Sequence, residues 1–364
     1  MRKVDISKVE PGMINKKTVL GFLGQVLLKT DVEINPRHIY YLKQMGIDYL
    51  YINDSRMSGS VFKELISSET RSEGQALIAG LIRDLDSPAP NPKVIDSREK
   101  DIKSFVEKMI KELLNNRNPV IQISDLRAYA GYLFAHSVNC SLISVLIASR
   151  MNYDMNTLKL IATGAFLHDI GYISIPRMIL HKPGSLTEKE FEAVREHARF
   201  GYGLFRKTKL FSERVAEIIL QHHERSLGQG YPRGLKGKEI SALARIVAVA
   251  DVFDAITSDK SYRGAYQAHE AVGMMQSWSG DYFDPEIIDA LMAVVAAYPL
   301  GSFVTLNNGE SGLVVSNRVG YAYQPVVRML FKKDFTPHPA PYDLDLARND
   351  YMSVAGVADD SILA

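Results

Sequence analysis

Five stretches between about residues 129 and 258 carry the 3.6-residue apolar period of amphipathic helices, and each puts a histidine or an aspartate on the face that ought to be buried. In the first, Tyr129, Leu133, Cys140, Ile143 and Ile147 mark the stripe, and His136 sits within it. In the second, Ile161, Gly164 and Ala165 lead to His168, with Asp169 next door. The third opens on a capping box, Thr187 with Glu190, and its stripe of Phe191, Val194, Ala198, Leu204 and Phe205 includes His197. The fourth runs through Val215, Ile218 and Ile219 to His222 and His223, and the fifth sets Leu243, Val247 and Ala250 on the face shared by Asp251 and Asp254. One histidine on an apolar face is ordinarily a hydrogen-bonded core residue. Five of them with two or three aspartates would each need a partner, because an unpaired buried carboxylate costs several kcal/mol. A shared metal centre satisfies them together, which requires the five helices to converge.

The donor types narrow the metal. Imidazole nitrogen and carboxylate oxygen without thiolate disfavour a structural zinc of the cysteine type and suit iron, manganese, cobalt, nickel or a hydrolytic zinc. The ligands are too many for a single tetrahedral ion. Asp169 has two oxygens and can bridge two cations about 3.5 to 4 Å apart, the spacing at which a metal pair clamps the attacking and leaving oxygens of a phosphoryl displacement. Gly171 then lets the chain turn away without crowding the site.

The rest of the chain sets the frame. With 43 basic and 42 acidic residues the net charge is +1, which gives no electrostatic ground for a nucleic-acid polymer as partner. The lone Cys140 excludes an internal disulfide and fits a reducing compartment. No apolar run approaches the roughly 20 residues of a membrane span, and the first residues lack an apolar signal core, so a cytoplasmic location without membrane insertion is expected. Punctuation by Gly and Pro predicts a small α+β module over 1–53, a linker and connecting helix over 54–119, and a helical domain over 120–298. A β extension with an Asn308-Gly309 hairpin turn follows over 299–335, and the Pro- and Asp-rich 336–364 reads as a flexible tail. The fold class is thus mainly α, a helical bundle flanked by two small β-containing pieces.

Four motifs in order, "HDIGY" at 168–172, "KPGSLTEKEF" at 182–191, "HHERSLGQGYP" at 222–232 and "ARIVAVADVFDAITSDKSYR" at 244–263, resemble the HD-GYP subgroup of the HD phosphohydrolase superfamily. The N-terminal module is similar to a small domain often found before HD-GYP domains, and the "LNNGESGLVV" hairpin to an extension found after them. The resemblance implies an HD-type bundle and hydrolysis of cyclic di-GMP, or a related cyclic dinucleotide, to pGpG or GMP by a metal-bridging hydroxide. It implies two divalent transition metals, iron or manganese: one held by His136, His168, Asp169 and Asp251, the other by Asp169, His197, His222 and His223, with Asp169 as the catalytic bridge. Members with a third metal carry a glutamate where this chain has Tyr132, so a binuclear centre is expected. Cys140, one turn beyond His136, is read as a small core residue. The loop Gly230, Tyr231 and Pro232 is implied to shape the substrate entrance and to contact diguanylate cyclase (GGDEF) domains, and a homodimer is a further expected assembly. Lys260 and Arg263 fall where the family sets basic residues against the nucleotide phosphates. Three positions depart from the pattern: Tyr172 stands where lysine follows "HDIG", and "LGQGYP" puts Leu227 at an acidic position and Gln229 at a serine. A neutral phenol donates a hydrogen bond but supplies no positive charge. A catalytically weak receptor or scaffold, or a phosphohydrolase of another nucleotide, are the alternatives these departures leave open.

Overall fold

The computed structural model describes residues 1–358 except 22, 61–63, 88, 90, 117–118, 123–131, 181, 183, 209 and 259–264. The N-terminal module is built from β1 (Arg2–Asp5), β2 (Val19–Leu20), β3 (Val26–Leu28), helix α1 (Pro36–Gln44) and β4 (Tyr49–Ile52). Strand β1 pairs antiparallel with β4, and β2 with β3. Asn35 caps α1 by accepting from the His38 N–H at 2.9 Å, and Pro36 takes the first helical position, where no N–H is needed. Val4, Ile6, Leu28, Ile34, Leu42, Ile47 and Leu50 bury each other in a core separate from that of the helices.

Where a linker and one connecting helix were expected, the structure has two helices, α2 (Ser68–Leu85) and α3 (Pro92–Leu114). Ser67 caps α2 by accepting from the Thr70 N–H, and Asn91 caps α3 by accepting from the Lys93 N–H. The buried face of α2 consists of Thr70, Gly74, Gln75, Ile78, Gly80 and Leu81, and the four small or polar residues among them, Thr70, Gly74, Gln75 and Gly80, hide its apolar period in the sequence. A Cβ on Gly74 would lie 2.6 Å from the Phe105 ring and 2.9 Å from Val138, so the glycine is what lets α2 sit close against its neighbours.

The helical domain continues with α4 (Tyr132–Arg150), α5 (Met155–Leu167), α6 (Arg177–Leu180), α7 (Glu188–Arg195) and α8 (His197–Thr208). It ends with α9 (Glu213–Gln221), α10 (Ala242–Thr257), α11 (Ala268–Ser277) and α12 (Pro285–Val294). Helices α4, α5 and α10 occupy the centre and are apolar on nearly all sides, as helices surrounded by protein must be. One hydrophobic core joins them to α2, α3, α9 and α12. The stretch read as one helix from Thr187 through Phe205 divides into α7 and α8. Its first half does not bury the expected stripe, since Phe191 is 46% exposed. The Val194 carbonyl accepts from the His197 imidazole at 2.7 Å at that junction.

The C-terminal sheet is larger than a hairpin. Strands β5 (Phe303–Leu306), β6 (Ser311–Ser316), β7 (Val326–Phe331), β8 (Pro337–Asp345) and β9 (Val354–Val357) form one antiparallel sheet in the order β8-β7-β6-β5-β9. Gly309, at φ +89°, makes the turn between β5 and β6. The supposed tail therefore supplies both edge strands. Pro337, Pro339 and Pro341 alternate along β8, and an edge strand tolerates missing N–H groups on its open side. Among the described residues no helix is long and apolar enough to cross a membrane.

Candidate metal centre

The seven candidate ligands come from five places in the bundle. His136 and Asp251 project from within α4 and α10. His168 closes α5 with Asp169 just beyond it, His197 opens α8, and His222 closes α9 with His223 following. His168, His197 and His222 are each fully buried.

Backbone carbonyls decide which imidazole nitrogens face the centre. Nδ1 of His168 donates to the Ala165 carbonyl, that of His197 to Val194 and that of His222 to Ile219, each at 2.7 Å. A carbonyl only accepts, so Nδ1 carries the proton and Nε2 is left with its lone pair inward. Nδ1 of His136 reaches an acceptor of another kind, Asp254 Oδ2 at 2.6 Å. Asp254, read in sequence as sharing the ligand face with Asp251, stands behind His136 and also accepts from Asn139 Nδ2 at 2.9 Å.

Two groups of donors result: His136, Cys140, His168 and Asp251, and Asp169, His197, His222 and His223, the atoms of each lying within 4.8 Å of one another. Asp169 divides its oxygens between them. Its Oδ2 is 3.3 Å from His168 Nε2 and 3.8 Å from His136 Nε2, while Oδ1 is 3.5 Å from His197 Nε2 and 3.9 Å from His222 Nε2. Asp251 Oδ1 lies 3.2 Å from His136 Nε2, and its Oδ2 lies 3.6 Å from His223 Nδ1. Cys140 Sγ is 3.5 Å from Nδ1 and 3.6 Å from Nε2 of His136. A sulfur equidistant from both ring nitrogens lies off either lone-pair axis, so it packs against the ring, and burial pushes its thiol up.

The protonation states suit cation binding. Burial alone would raise the Asp169 carboxyl, but the imidazoles of His168, His197 and His136 outweigh it and hold the group well below the ordinary carboxylate range. Asp251 is likewise raised by burial and lowered further by His136, His223 and His168, with a net fall. Burial, then His168 and His197, push His222 down to about 3, and burial with His222 lowers His223. Near neutral pH the site therefore offers ionised carboxylates at Asp169 and Asp251 and neutral imidazoles at His222 and His223, the forms that ligate metals, whereas at His168 burial is outweighed by the Asp169 charge and the imidazole is raised. His168 Nε2 is buried without any hydrogen-bond partner, an orphan that a cation would satisfy. The donor set and this orphan fit a pair of divalent metals.

Residues 108–287 match the HD domain family. This is an HD-domain protein. A cyclic di-GMP phosphodiesterase of Pseudomonas aeruginosa is 33% identical over 260 residues, covering 71% of this chain and 61% of the relative. A cyclic di-GMP phosphodiesterase response regulator of Xanthomonas campestris is 38% identical over 188 residues, 51% of this chain and 48% of the relative. A 3'3'-cGAMP-specific phosphodiesterase of Vibrio cholerae is 34% identical over 172 residues, 47% of this chain and 37% of the relative. The chain thus spans between about a third and three fifths of the length of these relatives.

Around the two donor groups lie the other expected residues. The Tyr172 ring stacks on His197 with centroids 4.3 Å apart and planes at 16°. Burial and then the charge of Asp169 push its phenol well up, so it stays neutral. Gly230 is required by contact: a Cβ there would meet the His223 carbonyl at 2.4 Å and the Arg225 nitrogen at 2.5 Å. The loop consequently lies on the backbone of His223, and the Tyr231 ring sits 4.6 Å from that imidazole. The Pro232 carbonyl accepts from Arg199 at 2.9 Å. Gly171 too serves contact more than turning, since its Cβ position lies 1.8 Å from the His197 carbonyl oxygen. Leu227 is exposed and bridges to Lys236. Lys260 and Arg263 lie outside the described residues, as does Tyr129.

Sequence reasoning passed over Glu224. Its buried carboxylate accepts from the N–H groups of Arg233 at 2.8 Å and Leu235 at 3.0 Å, closing the loop that carries Gly230, Tyr231 and Pro232. Its position directly after His223 was the available signal. Glu224→Ala should cost about 2 kcal/mol through two lost charge-assisted bonds. Hydrogen exchange at Arg233 and Leu235 should quicken, and protection equal to that of the unaltered protein would contradict the assignment.

Proposed function

We propose that the chain is a metal-dependent phosphodiesterase that opens cyclic di-GMP to pGpG. The observation that carries this reading is the division of the Asp169 carboxylate between two groups of inward-facing donors. In this reading His136, His168, Asp251 and Asp169 hold one divalent metal, and Asp169, His197, His222 and His223 hold a second, with iron or manganese matching the nitrogen and oxygen donors. Such a pair, when bound, acidifies water and offsets charge on a phosphate. Hydrolysis adds the elements of water across one P–O bond, leaving a phosphate on one nucleoside and a hydroxyl on the other.

The chain's own residues do the holding. Carbonyls fix the His168, His197 and His222 tautomers, Asp254 fixes His136, and Tyr172, a neutral phenol, keeps the His197 ring in place by stacking on it. Lys260 and Arg263 are proposed to bind the phosphates, with Gly230, Tyr231 and Pro232 bounding the entrance. The names of the relatives support a cyclic dinucleotide as substrate, and the Vibrio cholerae protein brings 3'3'-cGAMP into the comparison.

The test is single-turnover mixing of anaerobically purified, metal-counted protein with each dinucleotide in turn, the products being resolved by chromatography. Two metals per chain and pGpG from cyclic di-GMP are expected. Cleavage confined to 3'3'-cGAMP would correct the substrate, and two metals with neither dinucleotide cleaved would overturn the enzymatic reading.

A further inference from the structure

Where Nδ1 of His168, His197 and His222 hydrogen-bonds a backbone carbonyl, that of His136 hydrogen-bonds a side chain, and that side chain begins a hydrogen-bonded chain leading away from the centre. Asp254 Oδ2 accepts from His136 at 2.6 Å, Asn139 Nδ2 donates to Asp254 Oδ1 at 2.9 Å, and Arg71 Nη1 donates to Asn139 Oδ1 at 2.6 Å. Asp254 and Asn139 are buried, whereas Arg71 is half-buried on α2. Helix α2 precedes the residues matched to the HD family. We propose that Arg71 is a positioning residue that sets the orientation of His136 through Asn139 and Asp254, and so raises the affinity of the first metal group. The proposal rests on the reading of His136 as a ligand.

The physical reason lies in the two ends of an amide. Asn139 can present either its oxygen or its NH2 group to Asp254. Arg71 carries only donors, so by occupying the amide oxygen it commits the NH2 end to the carboxylate. With Arg71 gone, the amide can turn and face the carboxylate with its oxygen, and Asp254 loses a donor that anchors it behind the imidazole. Partners of this kind orient ligating histidines and tune their basicity.

A second feature holds Arg71 within reach. Gly74, one turn along α2, lies where a Cβ would be 2.9 Å from Val138, the neighbour of Asn139. The close approach of α2 to α4 is thus built around the level at which Arg71 crosses. The next residue, Ser72, donates to the Gly24 carbonyl at 2.6 Å in the turn between β2 and β3. The same turn of α2 therefore touches the N-terminal module on one side and the ligand's support on the other.

The experiment is Mn2+ affinity of the full chain by chelator competition, together with the visible spectrum of the Co2+-loaded protein. Arg71→Met should weaken Mn2+ binding about tenfold, the lower end of the cost of losing such a support, and shift the Co2+ bands. Arg71→Lys, which keeps a donor, should recover most of the affinity. Asn139→Ser removes the middle link without touching α2 and should reproduce the loss, which keeps the test decisive should Arg71→Met fail to fold. Unchanged Mn2+ affinity and Co2+ spectrum in either Arg71→Met or Asn139→Ser would overturn the proposal. Because the readout is metal binding, a protein that loads metal but cleaves no dinucleotide would sink the proposed function and leave this inference standing.

Discussion

Asp169→Ala is expected to leave less than one tightly bound metal per chain and to lower cyclic dinucleotide cleavage by at least about 10³-fold, the upper range for removing a single electrostatic stabiliser. The size follows from position. Asp169 is within 4 Å of four imidazole nitrogens, two through each oxygen, so its loss removes a ligand from both groups at once. It also removes a negative charge from among four crowded imidazoles, so cations would meet weaker attraction at both positions. Thermal stability gives a second reading. Ligand at about a thousand times its dissociation constant adds about 4 kcal/mol to a folded protein, so the unaltered chain should melt well above its chelated form. In Asp169→Ala that gap should close. Metal content by elemental analysis decides the matter: two metals retained per chain would show that Asp169 does not bridge them.

The candidate ligands could be picked out in the sequence because a histidine or carboxylate on an apolar helix face is hard to account for otherwise, and the structure brings those side chains together. Which residues support those ligands was not legible. Asp251 and Asp254 share one face of α10, and spacing alone does not say that one faces the centre while the other backs His136. Asn139 is a polar residue within an apolar run, and its meaning depends on Arg71, distant in sequence and supplied by a helix whose small residues disguise it. The helix expected through Phe191 and His197 failed because period matching follows chemistry along the chain and does not register a break between residues 195 and 197. Residues 336–364 read as a tail because proline and aspartate weaken strand signals. Those same residues are acceptable in β8, whose open side needs no donors. In each case the missing information was the neighbour, which composition and period do not contain.

Gly171→Ala is expected to be the most damaging single-methyl change near the centre. The added carbon would stand 1.8 Å from the His197 carbonyl oxygen, 2.6 Å from the Gly201 nitrogen and 2.7 Å from the His197 carbonyl carbon. All three are backbone atoms of α8, so no rotamer change relieves the overlap. Either α8 moves outward and takes His197 with it, or the turn at residues 170–174 retreats and takes Asp169 and Tyr172. Both routes separate Asp169 from His197, which are 3.5 Å apart between Oδ1 and Nε2. Overpacking a tight core commonly costs 1–3 kcal/mol, and a clash with unyielding backbone belongs at about 3 kcal/mol or above. Melting should fall by several degrees, and the group containing His197 should lose its metal while the group containing His136 keeps more of its own. Gly203→Ala is the control on the same helix, because a Cβ there meets nothing within 4 Å. Alanine in a helix is favoured over glycine by up to about 1 kcal/mol, so Gly203→Ala should melt at the same temperature or higher. If Gly171→Ala behaves like Gly203→Ala in melting and metal content, then α8 is not seated against the turn that carries Asp169, and the two-group arrangement loses its structural basis.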